Sequence, residues 1–180
     1  MPHEESWFSV LLGPVYDSLQ AGAQALGPTW LGGAEVGIQH VVAAAFVVLV
    51  LAVLSFVVSR RLARPDEALV PDGKLTATNF VEVFVGTIYG MMAQMMGPKA
   101  ARYFLPLIGT CAFFILFSNG LGLIPGFLPP TDDINTTLAA ALVIFFATHV
   151  YGFKEHGVGY LKHFVGPIRT WVALPLMVLM

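Results

Sequence analysis

Three stretches of this chain run for seventeen residues or more both strongly apolar and without a charge, and they set its architecture. Residues 41–59 (VVAAAFVVLVLAVLSFVVS), 103–123 (YFLPLIGTCAFFILFSNGLGL) and 136–152 (TTLAAALVIFFATHVYG) are each close to the length that crosses a bilayer as a helix, which is about 20 mostly apolar residues. The first run is a true span rather than a signal peptide. It begins forty residues into the chain, and its basic residues follow it instead of preceding it. In the second, Pro106 falls in the first turn, where a missing N–H is tolerated. Asp133 and Asn135 are good N-cap residues for the third, and Gly152 is a plausible stop.

A different pattern lies between the first two spans. In residues 79–96 (NFVEVFVGTIYGMMAQMM), Phe80, Val81, Phe84, Val85, Ile88, Met91, Met92 and Met95 recur at helical spacing. Asn79, Glu82, Gly86, Gly90, Ala93 and Gln94 fall opposite. That is an amphipathic helix suited to the membrane interface or to packing on neighbours, with Asn79 and Glu82 at capping-box spacing. The expected fold is all-α, a single polytopic membrane domain over residues 1–180. Its parts are an outward-facing segment (1–40), three spans (41–59, 103–123, 136–152), one amphipathic helix (79–96) and the start of a further membrane helix (171–180). The last of these, WVALPLMVLM, is too short to cross. It is either an interfacial segment or the opening of a helix that continues beyond Met180, and the second reading is the expectation here.

Composition narrows the function. Hydrophobic residues make up 57% of the chain and charged ones 11%, with a mean hydropathy of +0.77. Soluble domains are about 45–50% apolar with glycine counted in, and about 25% charged. A disordered chain, a nucleic-acid binder held by a basic patch and most soluble enzymes are thereby excluded. The lone Cys111 rules out an internal disulfide or a multi-cysteine metal site.

The placement of charge gives an orientation. Arg60, Arg61, Arg64, Lys74, Lys99 and Arg102 lie between spans one and two. Lys154, Lys162 and Arg169 follow span three. The first 40 residues and the 123–135 loop contain no Lys or Arg, and hold Glu4, Glu5, Asp17, Glu35, Asp132 and Asp133. By the positive-inside rule both basic regions face the cytoplasm, and the N-terminus and the loop bearing Pro125, Pro129 and Pro130 face out.

The chain offers no soluble active site. Gly120-Leu121-Gly122 lacks the strand–turn–helix context of a dinucleotide loop. His149, His156 and His163 repeat every seven residues, but Gly152, Gly157 and Gly159 interrupt a common face, so no metal or other cofactor is expected. Intramembrane polar groups are the better candidates, because their desolvation is costly. Asn119 near the outer end of span two, with Asp133, Asn135 and Thr137 where span three begins, could line a wet vestibule opening outward. Helix capping by Asp133 and Asn135 and an interhelical hydrogen bond from Asn119 form the alternative, which periodicity alone favours. His149 is either a proton-passing group or a hydrogen-bonded packing residue, and Glu82 either a capping-box partner or a proton-path carboxylate.

Residues 117–142 (FSNGLGLIPGFLPPTDDINTTLAAAL) resemble the subunit a family of F-type ATP synthases. The shared pattern is Asn119, Ile124-Pro125, then Pro130-Thr131, Asp133, Asn135 and Thr137. Tyr151–Gly157 and Gly159–Phe164 are similar to the family's cytoplasmic loop, and Pro71–Lys74 with Asn79–Glu82 to the lead-in of its amphipathic helix. The resemblance covers about residues 35–180. It implies a proton-conducting stator subunit of the Fo sector in the bacterial inner membrane, working with c-ring and peripheral-stalk b subunits among the membrane lipids, with no nucleic acid and no ATP chemistry of its own. It places Asn119, Asp133, Asn135 and Thr137 in or beside the outer half-channel. It also places the family's half-channel-separating arginine downstream of residue 180, and no arginine of this chain lies within a span. Proton flow yields about 2.3 kcal/mol per charge per 100 mV, so coupling to ATP needs many protons and a rotary partner. Two other readings remain. One is a non-conducting membrane scaffold. The other is part of a solute transporter, against which Gly120, Gly122 and Pro125 stand at a span's end rather than its middle.

Overall fold

The computed structural model describes residues 6–25, 37–63 and 76–160. The expected start of a further membrane helix at 171–180, His163 and the 71–74 lead-in lie outside them. The described residues form five α-helices, α1 (Trp7–Leu12), α2 (Pro14–Gln24), α3 (Gln39–Leu62), α4 (Ala77–Gly122) and α5 (Ile134–His156), with a 3-10 turn at Pro130–Asp132. The chain divides into two compact units, residues 1–138 and 139–180.

Three helices, α3, α4 and α5, are long and apolar enough to cross a membrane. At 1.5 Å per residue the 24 residues of α3 reach about 36 Å, more than the hydrocarbon thickness. The helix runs past the uncharged stretch to take Arg60 and Arg61 into its last turn, where cations meet the negative end of the helix dipole. Arg60 lays its guanidinium 4.3 Å from the Phe56 ring centroid. Leu49, Val53, Phe56 and Val57 of α3 are exposed. In water such a surface would drive aggregation, whereas lipid covers it at no cost.

The amphipathic segment and the second span form one element with a corner. Gly97 (φ +80°, ψ 159°) breaks the helical path inside α4. Glycine reaches this φ without a Cβ penalty, and Pro98 behind it opens the second limb, a position that suits proline. Phe84 and Phe113 pack with ring centroids 4.4 Å apart, and Phe80 reaches the same ring at 6.4 Å. These partners lie at similar distances along the chain on either side of Gly97, so the limbs double back on each other. The first limb is therefore packed against the second span. Met91 and Met95, members of its apolar stripe, are exposed.

Several local expectations are corrected. The cap of α4 is Thr76, whose Oγ1 accepts the Asn79 N–H at 3.3 Å, so Asn79 and Glu82 do not form the capping box. Pro106 sits inside a helix, not in a first turn. It donates nothing to the helix, and the Thr110 hydroxyl donates to its carbonyl at 2.6 Å.

The core of the first unit gathers Phe8, Ala43, Val47 and Leu121, with Val42, Leu51, Phe114, Phe117 and Phe127 against them. Phe8 meets Phe46 and Phe127 edge-on, at 5.5 and 5.0 Å. The start of α3, the end of α4 and the short α1 thus close around one another. Trp7 fixes α1 there: its backbone N–H donates to Gly126 O at 3.0 Å and its indole N–H to Pro125 O at 2.9 Å. Gly126 (φ +88°) leaves no room for a Cβ, which would collide with the indole.

In the second unit α5 does not stop at Gly152. It continues to His156, and Gly157 (φ +55°) ends it by donating its N–H to Phe153 O at 2.8 Å. Gly152 instead seats the Tyr160 ring, which a Cβ would strike.

Candidate functional site: a polar cluster where three helices end

The polar residues singled out at the ends of spans two and three do meet. Asn119, in the last turn of α4, accepts a hydrogen bond through Oδ1 from the Thr131 hydroxyl at 3.0 Å. Thr131 lies on the 3-10 turn, which Pro130, less than 2% exposed, anchors. The turn delivers the chain to Asp133 in extended conformation (φ −89°, ψ 132°). That geometry turns the carboxylate back over the first turn of α5, where Oδ1 accepts the Asn135 N–H at 2.8 Å. This is an N-cap, and the positive end of the helix favours its negative charge. Thr137 directs its hydroxyl back to the carbonyls of Asp133 and Ile134, at 3.3 and 3.2 Å. Asn119, Asn135 and Thr137 are exposed and Asp133 is half-buried.

One member of the cluster escaped the sequence reading. His40, the second residue of α3, places Nδ1 3.5 Å from Asp133 Oδ2. Its side chain is 19% exposed and that of Asp133 35%. The two carboxylate oxygens therefore have separate tasks, Oδ1 holding the start of α5 and Oδ2 facing the imidazole. The available signal was position: His40 is the last ionisable residue before an uncharged span, at the level where the third span's cap was already a candidate. Two further polar groups nearby in sequence are buried. Ser118 is fully buried and its Oγ makes no hydrogen bond among the described residues, and the same holds for the buried amide nitrogen of Gln39.

The remaining candidates stand elsewhere. Glu82 is exposed on the first limb of α4. In the second unit His149 Nδ1 lies 2.7 Å from Phe145 O, and its ring packs on Phe145 and meets Tyr160 edge-on, at 4.0 and 5.8 Å. His149 and His156 share one unbroken helix at a spacing of seven, because Gly152 does not interrupt it. The described residues contain no group of three potential metal ligands. Beside the polar cluster, Phe46, Val50, Phe80, Leu116 and Phe117 line an apolar groove of about 410 Å³. With no hydrogen-bonding side chain on its walls, the groove suits lipid or an apolar helix, not a proton.

A chain of titratable and hydroxyl-bearing groups at one end of a membrane bundle can hold water and pass protons. Comparison with known proteins identifies the chain's relatives. The family described as ATP synthase A chain matches residues 41–180. Among similar curated proteins, the ATP synthase subunit a of Geobacter sulfurreducens is 42% identical over 95% of this chain and 63% of its own length. That of Sorangium cellulosum is 36% identical over 98% of this chain and 69% of its own. That of Trichlorobacter lovleyi is 50% identical over 73% of this chain and 52% of its own. The chain spans less than two thirds of the length of the first of these relatives.

Proposed function

Because this chain belongs to the ATP synthase A chain family, we propose that it forms the outer wall of the proton path in the Fo sector of an F-type ATP synthase. It is a multi-pass membrane protein, and its role is conduction rather than catalysis. Protons enter the polar cluster from outside, cross to a carboxylate of the rotating c-ring, and their flow is coupled to ATP synthesis. Asn119, Asp133, Asn135 and Thr137 line or border the outer half-channel, and the c-ring and the b subunits of the peripheral stalk are the partners. The segregation of Lys and Arg supports an N-terminus outside the bacterial plasma membrane.

The observation that carries this reading is the meeting of Asn119, Thr131 and Asp133 where two membrane helices end. An apolar scaffold has no need of a half-buried carboxylate there, beyond the cap it provides. Asp133→Asn separates the two roles, since asparagine caps a helix about as well as aspartate but cannot bind and release a proton. In membrane vesicles of the intact complex stripped of its catalytic head, Asp133→Asn should slow passive proton flux about a hundredfold, the lower end for loss of a proton-transfer group. Asn119→Leu should slow it less, and both variants should assemble. Unchanged flux in a fully assembled Asp133→Asn complex would favour the non-conducting scaffold.

A further inference from the structure

We propose that His40 is the proton-collecting group at the mouth of this half-channel, so that the first span as well as the second and third contributes to it. The inference rests on the proposed function above and adds to it a titratable residue from a different helix.

The geometry argues for it in three ways. His40 is the only ionisable side chain that meets Asp133 in the described residues, and it does so through the carboxylate oxygen that the helix cap leaves unused. Both side chains are partly shielded yet reachable by water, at 19% and 35% exposure, the condition a relay group needs if it is to exchange with solvent on one side and a carboxylate on the other. An imidazole also has two nitrogens, so the one facing Asp133 and the one facing away can act on different partners. The other elements packed here bring little competing charge. From the 3-10 turn comes the exposed Asp132; α2, whose Gln20 accepts the Ile38 N–H, carries the exposed Asp17; and α1 and the last turns of α4 contain no ionisable residue.

The step balances simply. The imidazole takes a proton from hydronium, leaving water, and the imidazolium faces the Asp133 carboxylate. It then gives a proton to Oδ2 and returns to the neutral ring, and Asp133 passes the proton inward. Hydronium becomes scarce as the pH outside rises, so a group that collects protons from it matters most in the alkaline range and least in the acidic range.

The test measures passive proton flux in vesicles of the intact complex, as a function of pH on the outer side, for the parent, His40→Gln, His40→Ala, Asp133→Asn and the His40→Gln/Asp133→Asn pair. Glutamine keeps a polar side chain of similar reach and guards against a folding defect, and assembly is checked by subunit content. Both His40 variants should lose roughly three- to tenfold at pH 8 and less than twofold at pH 6, a change of profile that a packing defect would not give. In the Asp133→Asn background His40→Gln should add little, because the two act in series. If Asp133→Asn slows flux while both His40 variants follow the parent profile, the role of His40 is overturned and the half-channel stands. A uniform loss at every pH in the His40 variants likewise overturns it, in favour of a structural pair. If neither residue alters flux in assembled complexes, both the half-channel reading and this inference fall.

Discussion

The first unit has two unlike ends. At one, the start of α3, the end of α4 and the cap of α5 are tied by contacts between residues far apart in sequence: His40 with Asp133, Asn119 with Thr131, Trp7 with Pro125 and Gly126, and Phe8 among aromatic rings. At the other, α4 turns at Gly97 with open space around it, Met95 is 84% exposed, and Arg60, Lys99 and Arg102 are exposed. The difference teaches where this chain is specified by its own contacts and where by its surroundings. The tied end holds its polar groups in fixed geometry. The basic end is shaped by backbone conformation at Gly97.

Glycine substitutions separate the two most sharply. Gly126→Ala meets both an unfavourable φ and the Trp7 indole, so it should cost about 2–4 kcal/mol and release α1. Faster proteolysis near Trp7 in intact vesicles would report it. Gly97→Ala has the same kind of φ but nothing within reach of the new methyl. It should cost about 1–3 kcal/mol, the backbone term alone, seen as a fall in the melting midpoint in detergent. If Gly97→Ala proved the worse of the two, the contrast between the ends would be wrong. Arg60→Gln should have the smallest effect, under about 0.5 kcal/mol on stability, since the guanidinium is exposed and its stacking on Phe56 is worth little there.

The spans were legible because an uncharged run of such length has few other uses, and Asp133 was legible as a cap because the residue type and the apolar run beside it agree. Long-range pairing was not. Nothing local to Trp7 points to Pro125, and nothing local to His40 points to Asp133. Glycine misled at Gly152, where the side chain of Tyr160 fills the space a methyl would occupy and the helix simply continues. At the start of α4 two capping patterns overlapped, Thr76 with Asn79 and Asn79 with Glu82, and the earlier threonine prevails. The corner at Gly97 was hidden by the separation of an amphipathic pattern from an apolar one, which reads as two elements but not as a hairpin.

The bond from Trp7 to Pro125 joins residues 118 positions apart, and that separation has a consequence for biosynthesis. A ribosome adding about 5–20 residues per second needs on the order of ten seconds to make the stretch between them. Through that interval Phe8 has neither Phe127 to pack on nor Leu121 beneath it. The first helix made is thus among the last to be seated, and the tied end of the unit is completed only after the second span has been inserted.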